Sequence, residues 1–316
     1  MARDLIAIVG PTASGKTALG VALARAFSPG EIVGADSRQV YRYMDIGTAK
    51  PAAGRERSLV RHHLIDAVDP DQEFSLAQYL ELASAALEDI WSRGGQPLLV
   101  GGTGQYVWAL LEGWKVPRLP PQREVRRALE ERAAREGAEA LHRELARVDA
   151  RAAERIDPRN VRRVIRALEV YQASGRPISH WQEKGPPAWE TLILGLTCPR
   201  DELYRRIDAR VDGMIEAGLV EEVRELLARG YGPSLPSMSG IGYGEVCQYL
   251  AGELSLEAAV ARIKTASHRL ARQQGTWFRR EDPRIRWLEV GEGAQAEAAR
   301  LVESELGPRR VVAHGR

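Results

Sequence analysis

The sequence predicts an α/β fold, a parallel sheet flanked by helices, with an all-helical domain inserted into it. Three observations predict this class. An apolar run, Leu5 to Val9, passes through a glycine-rich loop directly into an amphipathic helical pattern. Further short apolar runs, Glu31 to Ala35, Leu98 to Val100 and Thr191 to Leu196, read as strands, and the last two lead into helices. Between 115 and 189 such runs stop, prolines punctuate the chain and arginine becomes frequent. At 316 residues the chain sits where single cores begin to divide. The expected division is a catalytic core of 1–114 and 190–316 around a helical insertion of 115–189.

The first element carries the sharpest signal. Leu5 to Val9 runs into Gly10-Pro11-Thr12-Ala13-Ser14-Gly15-Lys16-Thr17, a G-x-x-x-x-G-K-T loop, and a helix is expected from about Lys16 through Ala26. Glycines let successive backbone N–H groups converge on one anion, and the helix N-terminus adds partial positive charge. Lys16 supplies a point charge and Thr17 an oxygen for Mg²⁺, so the core is expected to be P-loop NTPase-like and to hold a di- or triphosphate. The loop alone leaves open whether the phosphate is transferred, hydrolysed or expelled.

The second strand ends in Asp36-Ser37-Arg38-Gln39-Val40-Tyr41. A carboxylate at the C-terminal end of a strand faces the crevice in which open α/β sheets bind ligands. Asp36 is then a metal ligand or a general base, with a helix N-cap as the competing structural role. Asp45 to Pro51 follows as a polar, Gly- and Pro-punctuated loop. His62 and His63 are adjacent on an extended segment, point to opposite sides and suit structural roles better than a metal site. The third strand ends in Gly101-Gly102-Thr103-Gly104, which is expected to direct Thr103 into the same crevice.

The inserted domain begins after Pro117, Pro120 and Pro121, with charged helices over Glu124 to Arg147. In its helix from Arg159, Val161, Val164, Ile165 and Leu168 form one apolar stripe. Arg159, Arg162, Arg163 and Arg166 repeat on a displaced face without evident carboxylate partners, a pattern suited to phosphodiesters. Gly185-Pro186-Pro187 is expected to close the insertion. Arg200, Arg206 and Arg210 lie on the next core helix, able to close over a diphosphate or to pair with Asp208 and Asp212. Ser239-Gly240-Ile241-Gly242-Tyr243-Gly244 reads as a flexible loop, and His268 to Arg280 mixes cations with aromatics, as single-stranded RNA binders do.

Charge sharpens the picture. The chain balances 45 Lys/Arg against 43 Asp/Glu, but residues 113–190 hold 17 against 12, and Lys264 to Arg286 holds seven against Glu281 and Asp282. Two basic stretches can cup a polyanion, the alternative being solvated helical faces. No apolar run approaches the roughly 18 residues a bilayer-spanning helix needs, so no membrane association is expected. The first residues lack the apolar stretch of a signal peptide, and a cytoplasmic protein is expected. Cys198 and Cys247 are too few for a disulfide framework.

Six segments together, GPTASGKT, DSRQVY, DIGTAKP, HHLID, GGT and RALEV, closely resemble the tRNA dimethylallyltransferases of bacterial type, in that family's order from about residue 5 to about residue 290. The resemblance implies transfer of a dimethylallyl group from dimethylallyl diphosphate to N6 of the tRNA adenosine at position 37, beside the anticodon, with Mg²⁺ as cofactor. It implies that Gly10, Pro11, Thr12, Ala13, Ser14, Gly15, Lys16 and Thr17 bind the diphosphate together with Arg210. Asp36 is the implied general base, with Thr103 and Arg126 also catalytic. Asp36, Ser37, Arg38 and Gln39, the stretch Arg162, Arg163, Val164, Ile165 and Arg166, and the loop Ser239 to Gly244 are the implied tRNA contacts, in a monomer that binds the anticodon stem-loop. One departure is Gly244, where the family usually has Lys or Arg after Gly-Tyr. A small-molecule kinase using the same loop with ATP is the rival reading; it has no need of a basic insertion.

Overall fold

A computed structural model describes residues 3–27, 29–51, 59–117, 119, 122–181, 184–185 and 189–307. The chain folds as two compact units, Met1–Leu111 with Ala188–Arg316, and Glu112–Pro187. Of the prolines expected to bound the insertion, Pro120, Pro121, Pro186 and Pro187 lie outside the described residues.

The first unit is built on a six-stranded sheet of strands β1 (Asp4–Val9), β2 (Gly30–Gly34), β3 (His62–His63), β4 (Gln96–Val100), β5 (Glu190–Thr197) and β6 (Ile285–Glu289), in the order β3-β2-β4-β1-β5-β6. Every neighbouring pair is parallel. The expected α/β class is therefore the one adopted, with β3 and β6 as edge strands the sequence reading did not assign. All of β1 is buried, because a central parallel strand is covered on both faces.

Helices α1 (Lys16–Ala26), α2 (Leu76–Ser92) and α3 (Gly104–Leu111) follow β1, β3 and β4, and α12 (Ala294–Leu306) follows β6. Leu19 and Leu23 of α1 and Val302 of α12 pack on Ile6, Ile8, Leu98 and Leu194 of the sheet. A second core lies among α8 (Arg200–Glu216), α9 (Leu219–Ala228), α10 (Tyr243–Leu250) and α11 (Leu256–Trp277), where Val211, Leu219, Val246 and Ile263 enclose Val40, Tyr41 and Met44. This core anchors the segment that follows Asp36.

Near the start of β2, the buried carboxylate of Glu31 receives both guanidinium arms of Arg93, and His63 Nε2 approaches it at 2.7 Å. The Arg93 hydrogen bonds, with His63 adding to them against the opposing effect of burial, hold Glu31 down to about 2. Because this is below the value of the unfolded chain, Glu31 contributes stability above about pH 4.5 that disappears as pH falls towards 2. Urea melts between pH 6 and pH 3 are expected to lose more stability in the parent than in Glu31→Gln. The two histidines are structural: His62 Nδ1 lies 2.8 Å from the Val60 carbonyl oxygen.

The second unit is helical, with α4 (Arg123–Glu136), α5 (Ala138–Val148), α6 (Ala150–Ala153) and α7 (Val161–Ser174). Leu129, Leu141, Leu145, Val164, Ile165 and Leu168 form its core. Glu169 is fully buried on the same face of α7. Its carboxylate accepts hydrogen bonds from Gln122 N–H at 2.6 Å, Arg166 Nη1 at 2.9 Å and Arg126 Nη2 at 3.2 Å. Burial pushes its pKa up, but those donors outweigh burial and hold it below the usual range. Removing one partner of a buried ion pair strands the others, so Glu169→Ala is expected to destabilise this unit by about 3–5 kcal/mol. Chemical denaturation monitored on the unit's Trp114 and Trp181 measures it, and a loss below about 1 kcal/mol would contradict the assignment.

Among the described residues no helix is long and apolar enough to cross a membrane.

Candidate active site

Three turns at the carboxyl ends of β1, β4 and β2, which are adjacent in the sheet, build the site. The β1 turn, residues 10–15, runs into α1 at Lys16. Gly10 has φ 141°, and a Cβ there would come within 2.7 Å of the Leu196 carbonyl oxygen, so the loop can press against β5 only with glycine. Ala13 has φ 61°, a left-handed conformation that costs a non-glycine residue energy and is characteristic of strained binding loops. Ser14 is buried, and its hydroxyl has no hydrogen-bond partner among the described residues. An unsatisfied buried donor at the head of a helix is a fit for a phosphate oxygen.

Lys16 Nζ folds back onto the Pro11 carbonyl at 2.6 Å. Burial, and then the charge of Arg210, push its pKa down to about 8, while the charge of Asp36 pulls it up. Burial also lowers Arg210, again against the opposing pull of Asp36. Lys16, Arg210 and Asp36 thus act on one another electrostatically at a single place. Arg206 is instead tied to Glu202, with Nε 2.7 Å from its carboxylate, and Arg200 lies over the Tyr204 ring at 5.1 Å. Arg205 also pairs with Glu202, so of the four arginines on α8 it is Arg210 whose charge acts on the phosphate loop's lysine.

Asp36 follows β2 by two residues and is half-buried. Its Oδ1 accepts the Arg38 N–H at 2.9 Å, capping a turn rather than a helix. Thr103 Oγ1 accepts the Ser37 N–H at 3.0 Å, tying the β4 turn to the Asp36 turn. The Arg38 guanidinium donates to the Pro236 carbonyl at 3.1 Å. The Gln39 amide nitrogen donates to the carbonyls of Thr48 and Ala49, both at 3.1 Å, which makes Gln39 a brace for its own neighbourhood.

Several expected contacts have other roles. Val164 and Ile165 are core residues of the helical unit, 1% and 3% exposed, and cannot reach RNA. Arg166 and Arg126 are spent on Glu169, and Arg159 pairs with Asp157, so that arginine face does have carboxylate partners. Arg162 and Arg163 remain exposed. The segment 239–244 is not a free loop: Ser237–Ser239 is a 3-10 helix and α10 starts at Tyr243. Gly240, Gly242 and Tyr243 are buried, with Tyr243 donating to Glu222 at 2.7 Å; Ser239 is exposed, and Ile241 and Gly244 are half-buried.

Three braces escaped the sequence reading. Glu222 accepts the N–H groups of Asp45 and Ile46 at 2.9 and 2.7 Å, and so pins the 45–51 loop. The buried Lys50 Nζ joins Asp45 and Asp66 at 2.7 and 2.6 Å. Gln274 of α11 spans the phosphate loop and the β4 turn. A signal existed only for Glu169, a lone acid four residues after Ile165 on the apolar stripe.

Beside the loop, a cavity of about 500 Å³ is lined by Pro11, Leu203, Phe278 and Trp287 and by the cations of Arg200 and Arg272, among others. Among the described residues no group of three or more His, Cys, Asp or Glu side chains is arranged to hold a metal ion. Mg²⁺ bound here would be held by the oxygens of a diphosphate and by the Thr17 hydroxyl at the head of α1, and would neutralise part of the phosphate charge.

A strained phosphate loop after β1, two cations, and a carboxylate after β2, two strands away in the sheet, define an enzyme that transfers a group from, or expels, a di- or triphosphate. The family description "IPP transferase" matches residues 39–281. A tRNA dimethylallyltransferase of Roseiflexus sp. (strain RS-1) is 58% identical over 276 residues, spanning 87% of this chain and 90% of the relative. Among solved structures, the tRNA isopentenylpyrophosphate transferase of Bacillus halodurans is 40% identical with a TM-score of 0.71, covering 96% of this chain and 97% of the other. A eukaryotic dimethylallyltransferase acting on tRNA is 27% identical with a TM-score of 0.80, covering 97% and 81%. The chain belongs to the IPP transferase family.

Proposed function

We propose that this protein transfers the dimethylallyl group of dimethylallyl diphosphate to N6 of the tRNA adenosine at position 37. The observation that carries the reading is the meeting of Lys16 and Arg210, cations for a leaving diphosphate, with Asp36, a base for the acceptor's proton. In the reaction the N6 lone pair attacks the allylic carbon, and the bond from that carbon to the diphosphate oxygen breaks. Lys16, Arg210 and the amide groups at the head of α1 hold the negative charge that develops on the leaving group. Asp36 accepts the N6 proton, which restores a neutral secondary amine. Bound beside Thr17, Mg²⁺ would neutralise part of the diphosphate charge.

N6 is conjugated with the adenine ring and is a weak nucleophile, so orientation must supply much of the acceleration. A stacked adenine is out of reach of such a crevice, and the base must leave the anticodon-loop stack. Thr103 supports catalysis by holding the Ser37 backbone beside Asp36, whereas Arg126, bound to the buried Glu169, stabilises the helical unit. The exposed Arg162 and Arg163 are suited to the backbone of the anticodon stem-loop. Replacing both with alanine is expected to weaken tRNA binding uniformly across sequences and to flatten the log-affinity against log-salt slope by about one to two units. Filter binding over a salt series measures it, and an unchanged slope would remove these residues from the interface. We further propose that the protein acts as a cytoplasmic monomer.

Pyrophosphate release that requires tRNA and dimethylallyl diphosphate together tests the reaction class. Release of phosphate from ATP upon addition of a small hydroxyl acceptor would favour the kinase instead.

A further inference from the structure

Helix α11 presents a buried amide to the site. Gln274 is 8% exposed; its Oε1 accepts the Thr12 N–H at 2.7 Å and its Nε2 donates to the Gly102 carbonyl at 3.1 Å. The orientation of the amide is fixed by its partners, since a backbone N–H can only donate and a carbonyl can only accept. Glutamate could not make both bonds. The space is made by glycine: a Cβ on Gly102 would stand 2.3 Å from Gln274 Nε2. The next residue, Thr103, holds the Ser37 N–H at 3.0 Å, adjoining Asp36. A continuous path of hydrogen bonds and backbone therefore runs from the phosphate loop through Gln274 and the β4 turn to the carboxylate.

We propose that Gln274 is a positioning residue, which sets the phosphate loop in register with the Asp36 turn. The inference rests on the reading of this site as one where a group held by its diphosphate meets a nucleophile held near Asp36. The loop has cause to drift, because Ala13 is held at φ 61°. Gln274 blocks that relaxation by fixing the residue immediately before it. Freeing the amide would leave a buried donor and acceptor unsatisfied in both partners, which keeps the bridge closed.

The test uses the full chain with Gln274→Met, which keeps the length of the side chain and can neither donate nor accept in this way. At saturating substrates the single-turnover transfer rate is expected to fall about 10- to 100-fold, the penalty of a misplacement on the order of 1 Å, while tRNA affinity stays within about threefold. Hydrogen exchange of the peptide carrying residues 10–17 is expected to speed up in the same variant, a readout that needs no activity. Gly102→Ala, which evicts the amide from the other side, should reproduce both effects. The double variant should be no slower than the slower single one, because both changes remove the same bridge. A Gln274→Met rate within twofold of the parent, unchanged loop exchange, or losses that multiply in the double variant would overturn the proposal. If Gln274→Met does not fold, Gly102→Ala decides by the same criteria. A parent that forms no prenylated tRNA would overturn the functional reading, while loop exchange would still judge the bridge.

Discussion

Asp36→Asn and Asp36→Ala are expected to lower the rate of transfer by about 10²- to 10⁴-fold at saturating substrates, the usual contribution of a positioned general base. The pair of variants separates chemistry from shape. Asparagine retains an Oδ1 that can accept the Arg38 N–H, the 2.9 Å bond that holds the turn, but it cannot take a proton from N6. If the loss came from collapse of the turn, asparagine would rescue and alanine would not. Equal losses in the two, with tRNA binding retained, identify proton transfer as the missing function. Rapid-quench single-turnover kinetics measures it, and a rate near that of the parent in either variant would remove Asp36 from the chemistry.

Lys16→Ala is expected to cost about 10²- to 10³-fold in the same assay, the magnitude seen when a preorganised donor to developing negative charge is deleted. It also has a pH signature. Burial and the neighbouring Arg210 push Lys16 down to about 8, so above pH 8 the free protein increasingly holds a neutral amine. A bound diphosphate favours the ammonium form, and pyrophosphate binding above pH 8 is therefore expected to take up a proton and to weaken as pH rises. Below pH 8 the charged, buried Lys16 opposes folding, and that penalty is relieved as pH climbs from about 8 towards 10.5. Calorimetry at pH 8.5 in buffers of different ionisation enthalpy reads the proton directly. No uptake in the parent, or the same uptake in Lys16→Ala, would contradict the account.

What could be read from the sequence follows from how local each requirement is. The phosphate loop is legible because its backbone geometry demands glycines and a lysine at fixed spacing between a strand and a helix. Asp36 is legible because a carboxylate at a strand end has few other uses, although the turn it caps is settled only by the Arg38 N–H. The edge strands were not legible: β3 spans only His62–His63, and β6 has the exposed Arg286 and Glu289 beside a charged run. The arginine face of α7 misleads in the opposite direction. Its cations stand out by spacing while Glu169, a single acid on the apolar stripe, is easily passed over, and two of the four arginines turn out to be bound to carboxylates nearby in sequence. The braces at Gln274, Glu222 and Lys50 depend on partners as far as 262 residues away, a relation that no periodicity encodes.

The measurement that tests the central claim most directly is the mass of the nucleosides released from unmodified tRNA after incubation with the protein, Mg²⁺ and either dimethylallyl diphosphate or ATP. The account predicts an adenosine heavier by one dimethylallyl group, formed only with the prenyl donor, formed about 10²- to 10⁴-fold more slowly with Asp36→Asn, and mapping to position 37 on nuclease fragments. Unmodified adenosine with the active prenyl donor, or an adenosine modified identically with ATP alone, would contradict it.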